Sequence, residues 1–360
     1  MSNYTNTYKV IVWGTGLVGK AVLRHLLKHP LYDIVGVIVS SEAKHGRDIG
    51  ELLGMDNTGI IASMDSAAVL SQQADVVAYF GPSAIYAEVN MANLCAALRA
   101  GKHVVDTSMG VFENPDRAPE ALRQQILDAC ALHGKSFFSG GIDPGFANDL
   151  FPMTLLGVCA QVDKVRTIEF IDAGTYPDQE SLIQMGLTST VDQDVVLAMP
   201  GIMTSVWGGP LYMIADALGV KIEETRELYD RWFATEAVDY PMGRVEAGQC
   251  AAHRVQLQGI VDGQAKIIID HYHRLFPDAA PDWQRPQTHH VHANRIEIDG
   301  SPKIRQETVL ENAATGDGNE GTCLATGMRA INAIPAVCNS ASGILATIDL
   351  PLIAGNGAMH

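Results

Sequence analysis

The stretch that decides the fold is Val10-Ile11-Val12-Trp13-Gly14-Thr15-Gly16-Leu17-Val18-Gly19-Lys20. It places the pattern G-x-G-x-x-G directly after an apolar run and directly before a helix-like segment that reaches residue 29. In that context Gly14 permits a tight turn, Gly16 lets the backbone approach a pyrophosphate, and Gly19 lets the helix pack closely on the strand. We therefore predict a dinucleotide site on the helix N-terminus, formed by Gly14, Thr15, Gly16, Leu17, Val18 and Gly19. The alternative is a glycine-rich turn that binds no ligand.

Composition and charge narrow the classes of function. The chain has 360 residues, of which 47% are hydrophobic and 18% charged, which suits two globular domains. The formal net charge of −16 argues against a nucleic-acid partner, which would need Lys and Arg for its phosphates. No apolar run reaches a membrane span, and the short polar N-terminus shows no signal peptide. Six scattered cysteines without a C-x-x-C pattern predict reduced thiols in a cytoplasmic protein.

Apolar strands alternate with helices through the first part of the chain. We predict strands over 8–13, 32–39, 75–80, 103–106 and 136–138, and helices over 18–29, 84–100 and 119–133. Strands that are continuously apolar and separated by helices are typical of a parallel sheet covered on both faces. The sequence therefore predicts an N-terminal Rossmann domain, a doubly wound parallel sheet, over residues 1–148.

The pattern changes after Phe146. Strands are predicted over 165–172, 248–261, 265–275 and 290–299, joined by turns such as Asp262-Gly263, with a helix over 208–219. We expect a second α+β domain with a mixed or antiparallel sheet over residues 149–321, for substrate binding and dimerisation. An apolar helix over 322–337 belongs to a segment, 322–360, that we expect to pack back on the first domain. The overall class is α/β.

The end of the second strand selects the cofactor. NAD-specific sites usually carry a carboxylate about 20 residues after the glycines, to hold the ribose 2′-hydroxyl. This chain has no carboxylate there, but it has hydroxyl groups and cations that suit a 2′-phosphate, contributed by Ser40, Ser41, Lys44 and Arg47. We predict NADP, with NAD as a possible alternative cofactor; the lysine and arginine could also be solvated loop charges.

The loops after the later strands supply further candidates. Gly81, Pro82 and Ser83 form the kind of turn that lies against a nicotinamide ribose, although Ser83 could simply cap the next helix. Asp143 lies in the glycine-rich segment 140–146 at the predicted domain junction, and Asp106 ends a strand. We expect both carboxylates in the catalytic cleft. The alternatives are an Asx-turn before Pro144, and an N-cap or a solvent-facing turn at Asp106.

The histidines and the residues expected to line the substrate pocket indicate the function less clearly. His271 with His273, and His290 with His292, are spaced to share one strand face, so two such pairs could bind zinc. Asp278 and Asp282 offer simpler ion-pair partners, and we expect no metal. Trp207 could be a packing residue or could wall the substrate pocket. The expected substrate-contacting residues are Thr107, Ser108, Met109, Phe146, Met185 and Trp207.

Several segments resemble a known family. The glycine turn, Gly50-Glu51-Leu52-Leu53-Gly54, residues 100–105 and Gly141-Ile142-Asp143-Pro144-Gly145-Phe146 resemble the dihydrodipicolinate-reductase-like superfamily. Residues 326–338 and Asp349-Leu350-Pro351 are similar to the branch of 2,4-diaminopentanoate dehydrogenases and native amine dehydrogenases. The resemblance implies a homodimer that uses NAD(P)H and ammonia to aminate a small ketone or aldehyde, or catalyses the reverse.

The resemblance also implies roles for single residues. Asn332 would contact the nicotinamide amide, and Gly81 and Pro82 would line its ring. The amine dehydrogenases of this branch carry a glutamate in the loop that here reads Thr107-Ser108-Met109-Gly110, and the first glutamate of this chain comes later, at Glu113. The turn at Asp143 resembles that of meso-diaminopimelate dehydrogenases, whose substrate is also an amine. Asp143, helped by Asp106, is therefore the candidate for the amine or imine pocket.

The leading hypothesis is an NAD(P)-dependent oxidoreductase acting on a C–N bond, an amine dehydrogenase or imine reductase, with no nucleic-acid or membrane partner. A carboxylate suits a cationic iminium or ammonium group. An NADP-dependent reductase of a C=O or C=C bond is the alternative within enzymes. A non-catalytic NADP-binding sensor is the alternative outside them.

Overall fold

The computed structural model describes residues 7–82, 86–288 and 290–359, and it divides into two compact units. The first unit runs through Phe146 and resumes at Cys323, and the second comprises Ala147–Thr322. The C-terminal segment therefore belongs to the first unit. No helix in the described ranges is long and apolar enough to cross a membrane.

The first unit alternates short strands with helices. Its strands are β1 Tyr8–Trp13, β2 Tyr32–Ile38, β3 Ala62–Ser63, β4 Val76–Tyr79, β5 His103–Asp106, β6 Ser136–Ser139 and, after the second unit, β15 Gly343–Leu345. Its helices are α1 Leu17–Leu26, α2 Ile49–Leu53, α3 Ser66–Leu70, α4 Ala87–Arg99 and α5 Glu120–Ala131. The five predicted strands are confirmed within two residues at each end. The first helix was predicted to reach residue 29, and in the structure it ends three residues earlier, at Leu26.

The first sheet has the strand order of a dinucleotide-binding fold. Seven strands within the described ranges pair in parallel in the order β15-β6-β5-β4-β1-β2-β3. Side chains of β1 alternate between two cores, with Val10 and Val12 on one face and Ile11 and Trp13 on the other. The strand order reverses between β1 and β4, where an open α/β sheet binds its ligand beyond the strand ends. The predicted Rossmann class is confirmed.

Helix α9, Gly318–Asn339, returns the chain to this sheet. Its residues Ala330, Ile331, Ile334 and Val337 are buried in the core that also contains Val10 and Val12. At Gly327 the helix approaches α1 so closely that a Cβ atom would lie 2.1 Å from Val22 Cγ2. The predicted helix over 322–337 is thus confirmed in type, and it is longer by four residues at its start and two at its end.

The second unit is built on a mixed sheet. Its strands are β7 Gln161–Asp172, β8 Glu224–Phe233, β9 Val238–Tyr240, β10 Gly243–Val245, β11 Cys250–Val261, β12 Gln264–Arg274, β13 Ala293–Ser301 and β14 Ile304–Thr308. Its helices are α6 Leu150–Leu156, α7 Gln179–Gln184 and α8 Ile202–Leu218. Six strands pair in the order β14-β13-β7-β12-β11-β8, and within the described residues only β7 and β12 run parallel. The predicted mixed sheet is confirmed.

Helix α8 covers one face of this sheet, where Leu211 and Ile214 join the core. The prediction placed its start at residue 208, six residues late, because Gly208-Gly209-Pro210 suggests a break in a helix. The helix begins earlier because Glu227 of β8 accepts hydrogen bonds from the backbone N–H groups of Gly201 (2.7 Å) and Thr204 (2.7 Å). A carboxylate at this end accepts hydrogen bonds from unpaired N–H groups. It is also attracted to the positive N-terminal end of the helix dipole.

Candidate functional site

The glycine turn after β1 has the close contacts that its sequence predicts. Gly14 has φ +106°, and a Cβ atom there would lie 2.1 Å from the carbonyl oxygen of Phe80. A Cβ on Gly19 would lie 2.0 Å from the carbonyl oxygen of Gly14, whereas one on Gly16 would meet nothing within 4 Å. Gly16 caps α1 without a side-chain hydrogen bond. The backbone at Gly16, just before the first N–H groups of α1, is therefore open to close approach, which fits a pyrophosphate.

Lys44 brings a positive charge to this turn. It ends a short 3₁₀ helix, Glu42–Lys44, and its Nζ donates to the Thr15 carbonyl oxygen (3.0 Å) and Oγ1 (3.2 Å). Partial burial, with Lys20 nearby, lowers the pKa of Lys44. Ser40 is exposed and Ser41 half-buried at the end of β2. The lysine therefore lies on the glycine turn, and the two hydroxyl groups lie at the carboxyl end of β2; their contacts with a cofactor stay predictions.

Arg47 has a different role from the one predicted. Its guanidinium donates twice to Glu51 Oε1, at 3.1 and 2.7 Å, across one turn of chain at the surface. Asp48 is occupied too, because its carboxylate accepts from the backbone N–H groups of Gly50, Thr58 and Gly59. The prediction of Arg47 as a phosphate ligand is corrected to a surface ion pair.

Gly81 and Pro82 lie at the second flank of the switch point, after β4. A Cβ on Gly81 would lie 2.3 Å from the Tyr79 ring, and Asn90 Nδ2 donates to the Pro82 carbonyl oxygen at 3.0 Å. The Tyr79 hydroxyl donates in turn to Asn90 Oδ1 at 2.9 Å. The turn is therefore fixed by side chains behind it. Ser83, predicted beside them, lies outside the described residues.

Asn332 lies elsewhere in the first unit. It follows Ile331, whose carbonyl oxygen accepts from the Tyr32 hydroxyl at 3.0 Å, and its amide nitrogen approaches Gly355. Tyr32 begins β2, and the glycine turn follows the end of the parallel strand β1. These contacts place Asn332 beside the Tyr32 side chain and the C-terminal segment. Its contact with the nicotinamide amide stays a prediction.

The carboxylate of Asp106 fixes the loop that follows it and is not exposed there. Its Oδ1 accepts from the Ser108 backbone N–H (2.9 Å) and hydroxyl (2.7 Å), and its Oδ2 accepts from the Met109 N–H (2.9 Å) and the Ser139 hydroxyl (2.7 Å). The side chain is completely buried, and this burial raises the pKa of Asp106. These contacts give Asp106 a positioning role.

The loop residues after Asp106 divide between core and surface. Met109 is buried in the core beside Phe112 and Phe137, so its prediction as a substrate contact is corrected. The Ser108 hydroxyl is buried and donates to Asp106, which corrects its prediction too. Thr107 is half-buried, and its N–H donates to the Tyr79 carbonyl oxygen at 3.3 Å.

Asp143 lies in a tightly closed turn after β6. The Gly141 N–H donates to the Pro144 carbonyl oxygen at 2.8 Å, and the half-buried Phe146 donates its N–H to the Ile142 carbonyl oxygen at 3.2 Å. Gly145 has φ +125°, and a Cβ there would lie 2.4 Å from the Gly141 nitrogen. Arg329 of α9 donates to the Gly145 carbonyl oxygen at 3.2 Å. The half-buried carboxylate of Asp143 is therefore carried by a fixed backbone.

A second carboxylate, which the sequence analysis named without assigning a role, adjoins this turn. Glu113 is completely buried, and a Cβ added to Gly140 would lie 2.9 Å from Glu113 Oε2. Its position could not be derived from spacing, because a 3₁₀ helix, Gly110–Phe112, redirects the chain after the loop. Two carboxylates, Asp143 and Glu113, thus lie at or beside the turn that follows β6.

The second unit contributes another acidic residue that sequence analysis missed. Glu169 of β7 lies opposite His271 of β12 in the parallel pair, and its Oε2 is 3.7 Å from His271 Nε2. Both side chains are buried, and the Trp207 ring stacks on the imidazole with 4.5 Å between centroids. Trp207 therefore packs against the Glu169–His271 pair. The alternation of β7 could have indicated Glu169 as an inward-facing charge.

The remaining predicted residues of this unit have ordinary partners. His290 Nδ1 is 3.2 Å from Glu311, and His292 Nε2 is 3.1 Å from the Thr322 hydroxyl, so the expected partners Asp278 and Asp282 are corrected for these two residues. Met185 is half-buried between two apolar clusters, and its carbonyl oxygen accepts from the Tyr229 hydroxyl. Met185 is therefore primarily a packing residue.

Comparison with known proteins identifies the family. The family model described as the 2,4-diaminopentanoate dehydrogenase C-terminal domain matches residues 146–359, and that of the dihydrodipicolinate reductase N-terminus matches residues 8–126. The chain belongs to the 2,4-diaminopentanoate dehydrogenase family. An amine dehydrogenase of Streptomyces virginiae is 35% identical over 95% of this chain and 96% of its own length. The 2,4-diaminopentanoate dehydrogenase of Acetoanaerobium sticklandii is 25% identical over 96% and 93%.

Solved structures agree on the fold of this family member. The amine dehydrogenase of Mycobacterium smegmatis superposes with a TM-score of 0.76 at 19% identity, covering 99% of this chain and all of that one. A Lactobacillus casei scyllo-inositol dehydrogenase, solved with NAD(H), gives 0.55 at 15% identity and covers 96% of this chain and 93% of its own. The predicted resemblance is confirmed, and so is the interpretation of the chain as a nicotinamide-dependent oxidoreductase related to amine dehydrogenases.

Buried histidines, among them His103, His253 and His292, make the stability of the protein depend on pH. Burial lowers the pKa of His103 to about 4, of His253 to about 3 and of His292 to about 4, from 6.5. Between these values and pH 6.5 the unfolded chain binds more protons than the folded one, so stability falls as pH falls. We expect each histidine to cost on the order of 1 kcal/mol of unfolding free energy at about pH 5.5.

Thermal unfolding measured from pH 7.5 to pH 5 tests this expectation. The midpoint should fall through this window, and His292→Gln should flatten the slope because it removes one group that takes up a proton on unfolding. A midpoint that rises or stays constant as the pH is lowered would contradict the assignment of neutral buried histidines.

Proposed function

We propose that the protein is an NADP-dependent amine dehydrogenase for a small ketone or aldehyde. In the oxidative direction a primary ammonium substrate, NADP⁺ and water give the carbonyl compound, ammonium, NADPH and a proton. The proposal is supported by the similarity to an amine dehydrogenase over nearly the whole of both chains. The observation on the site that carries it is the carboxylate of Asp143, held on a fixed turn at the carboxyl edge of the dinucleotide-binding sheet.

The residues of the first unit fit a nicotinamide dinucleotide. The N–H groups that begin α1 would hold the pyrophosphate, and Gly81 and Pro82 would border the nicotinamide ribose beyond β4. The bound cofactor supplies hydride chemistry at its nicotinamide ring. The protein contributes binding and orientation, which its rigid turns favour because few side chains must be ordered when the ligand binds.

Asp143 would stabilise the positively charged nitrogen of the substrate. An iminium or ammonium group opposite a partly desolvated carboxylate is held by charge and by hydrogen bonding together. The same carboxylate would disfavour an oxyanion, so this site is better suited to C–N than to C=O reduction. Asp106 would act one step away, since it fixes the loop from residue 107 to 109 and the strand end at Ser139.

We propose a homodimer in the cytoplasm. The dimer rests on the family resemblance. No disulfide joins the six cysteines, all of which lie in the described part of the chain, and reduced thiols suit a reducing compartment.

Turnover with amines but not with matching alcohols tests the proposed activity. With NADP⁺ and a panel of short primary amines, nicotinamide absorbance should rise, and the alcohols of the same carbon skeletons should give no signal. Asp143→Asn should lower kcat/KM at least 100-fold, about 2.7 kcal/mol, because the charge opposite the iminium is lost. NADP affinity, measured by fluorescence titration, should change less than threefold.

Oxidation of alcohols alone would refute the proposal, and tight NADP binding without turnover would favour a sensor. An equal loss of turnover and cofactor affinity in Asp143→Asn would assign Asp143 to the fold.

The choice of NADP depends on Lys44. Lys44→Met should raise KM for NADPH at least tenfold, about 1.4 kcal/mol, and KM for NADH less than threefold, because the 2′-phosphate loses a cation. Arg47→Met is the matched control, since its guanidinium is already paired with Glu51, and it should leave the ratio of the two KM values unchanged. A wild-type kcat/KM higher with NADH than with NADPH would contradict this assignment.

A further inference from the structure

The helix-covered face of the second sheet changes from apolar to polar along its strands. Under α8, neighbouring strands present Val165, Ile267 and Ile298 at one level of the face. Two residues along, Thr167 lies between Ile269 and Ile296. The next level is polar and consists of Asn294, Glu169 and His271. His273 and His253 follow, as directly paired residues of β12 and β11. We call Thr167, Glu169, His253, His271, His273 and Asn294 the polar strip.

The polar strip is buried although it is not part of an apolar core. Thr167, His253, His273 and Asn294 are exposed by 1%, 0%, 5% and 7%, and Glu169 and His271 by 7% and 1%. The rings of His253 and His273 have centroids 4.4 Å apart, and those of His271 and His273 are 6.5 Å apart. A row of adjoining imidazoles therefore leads from the Glu169–His271 pair across β12 to β11.

Several atoms of the strip have unused hydrogen-bonding capacity. In the described part of the chain no partner is found for Thr167 Oγ1, Asn294 Nδ2, His273 Nδ1 or either ring nitrogen of His253. A buried polar group without a partner costs roughly 1–3 kcal/mol, so four such side chains on one face call for an explanation. Polar groups that are held ready for a ligand provide that explanation, because the ligand supplies their hydrogen bonds.

We propose that the polar strip recognises a substrate that carries both an amine nitrogen and a hydroxyl group. Glu169, oriented by His271, would supply a further negative charge for the substrate nitrogen, and His273 and His253 would hydrogen-bond the hydroxyl. This inference rests on the proposed function and specifies its substrate class as hydroxylated amines and the corresponding hydroxyketones.

The chemistry of the strip distinguishes a hydroxyl from a second charged group. Glu169 is the acidic member, and a substrate carboxylate near it would be repelled. Burial lowers the pKa of both His253 and His273, so both rings are neutral and can donate or accept but add no positive charge for an anion. A hydroxyl can satisfy such a ring in either direction.

Strand spacing sets the length of the substrate. Neighbouring strands are about 4.8 Å apart, and His253 lies two residues farther along the sheet than Glu169, so Glu169 on β7 and His253 on β11 are separated by about 12 Å, with His273 between them. A hydroxyl two to four carbons from the carbon that bears nitrogen would reach the imidazoles. The Trp207 ring, stacked on His271, offers an apolar wall for the carbons between the two groups.

Two ketones of equal length test the inference. With ammonia and NADPH we expect kcat/KM for 5-hydroxy-2-pentanone to exceed that for 2-hexanone at least tenfold, because the apolar ketone leaves buried imidazoles without partners. His273→Leu should reduce this ratio to below threefold by lowering kcat/KM for the hydroxyketone alone. His273→Asn, which keeps a donor near the position of Nδ1, should retain part of the preference.

Tyr272→Phe is the matched control. Tyr272 is the next residue on the same strand, and its hydroxyl contacts Arg166 at 3.1 Å on the opposite face of the sheet. This variant should leave the ratio of the two kcat/KM values unchanged. Thermal unfolding of all variants shows whether a loss reflects misfolding, and if His273→Leu does not fold, the Asn variant decides the question by its ratio.

Equal kcat/KM values for the two ketones in the wild type, or equal losses with both ketones in His273→Leu, would overturn the inference and leave the proposed function intact. Amination of other short ketones without activity on either of these two would also overturn it. No amination of any ketone would instead refute the proposed function.

Discussion

The structure depends on the close backbone contact between the glycine turn and the strand beside it. Because Gly14 and Gly19 carry no Cβ, the carbonyl oxygen of Phe80 approaches Gly14, and α1 begins directly at the end of β1. This contact brings the N-terminus of α1 and the turn after β4 to the two sides of one switch point. The dinucleotide site follows from that geometry, and so does the place where carboxylates can act, since β5 and β6 end at the same edge of the sheet.

Much of the fold could be predicted from the sequence, because its signals are local. The apolar strand before Gly14 and the helix after it are short-range patterns, and so are the alternating elements up to residue 138. Asp143 was placed after the last of these strands for the same reason. The start of α8 was not predictable, since it is set by Glu227 from a strand that comes later in the chain. Glu169 was missed because its meaning depends on His271, which lies about a hundred residues away.

The carboxylates of the site show why residue type alone does not fix a role. Asp106 and Asp143 both follow strands of the first sheet, yet Asp106 has four hydrogen-bond donors around it and Asp143 lies half-buried on a turn closed by its own backbone. The charges near β2 divide in the same way, with Lys44 on the glycine turn and Arg47 paired with Glu51. In both cases the hydrogen-bond partners, and not the residue type, decide which role a charged side chain can take.

Isotope labelling shows whether the protein forms and breaks a C–N bond. A short ketone is incubated with ¹⁵N-ammonium and NADPH deuterated at both C4 positions, and the products are analysed by mass spectrometry and NMR. We expect a product with one deuterium on the carbon that is bonded to ¹⁵N. An alcohol that carries the deuterium, with no ¹⁵N-containing product, would contradict it.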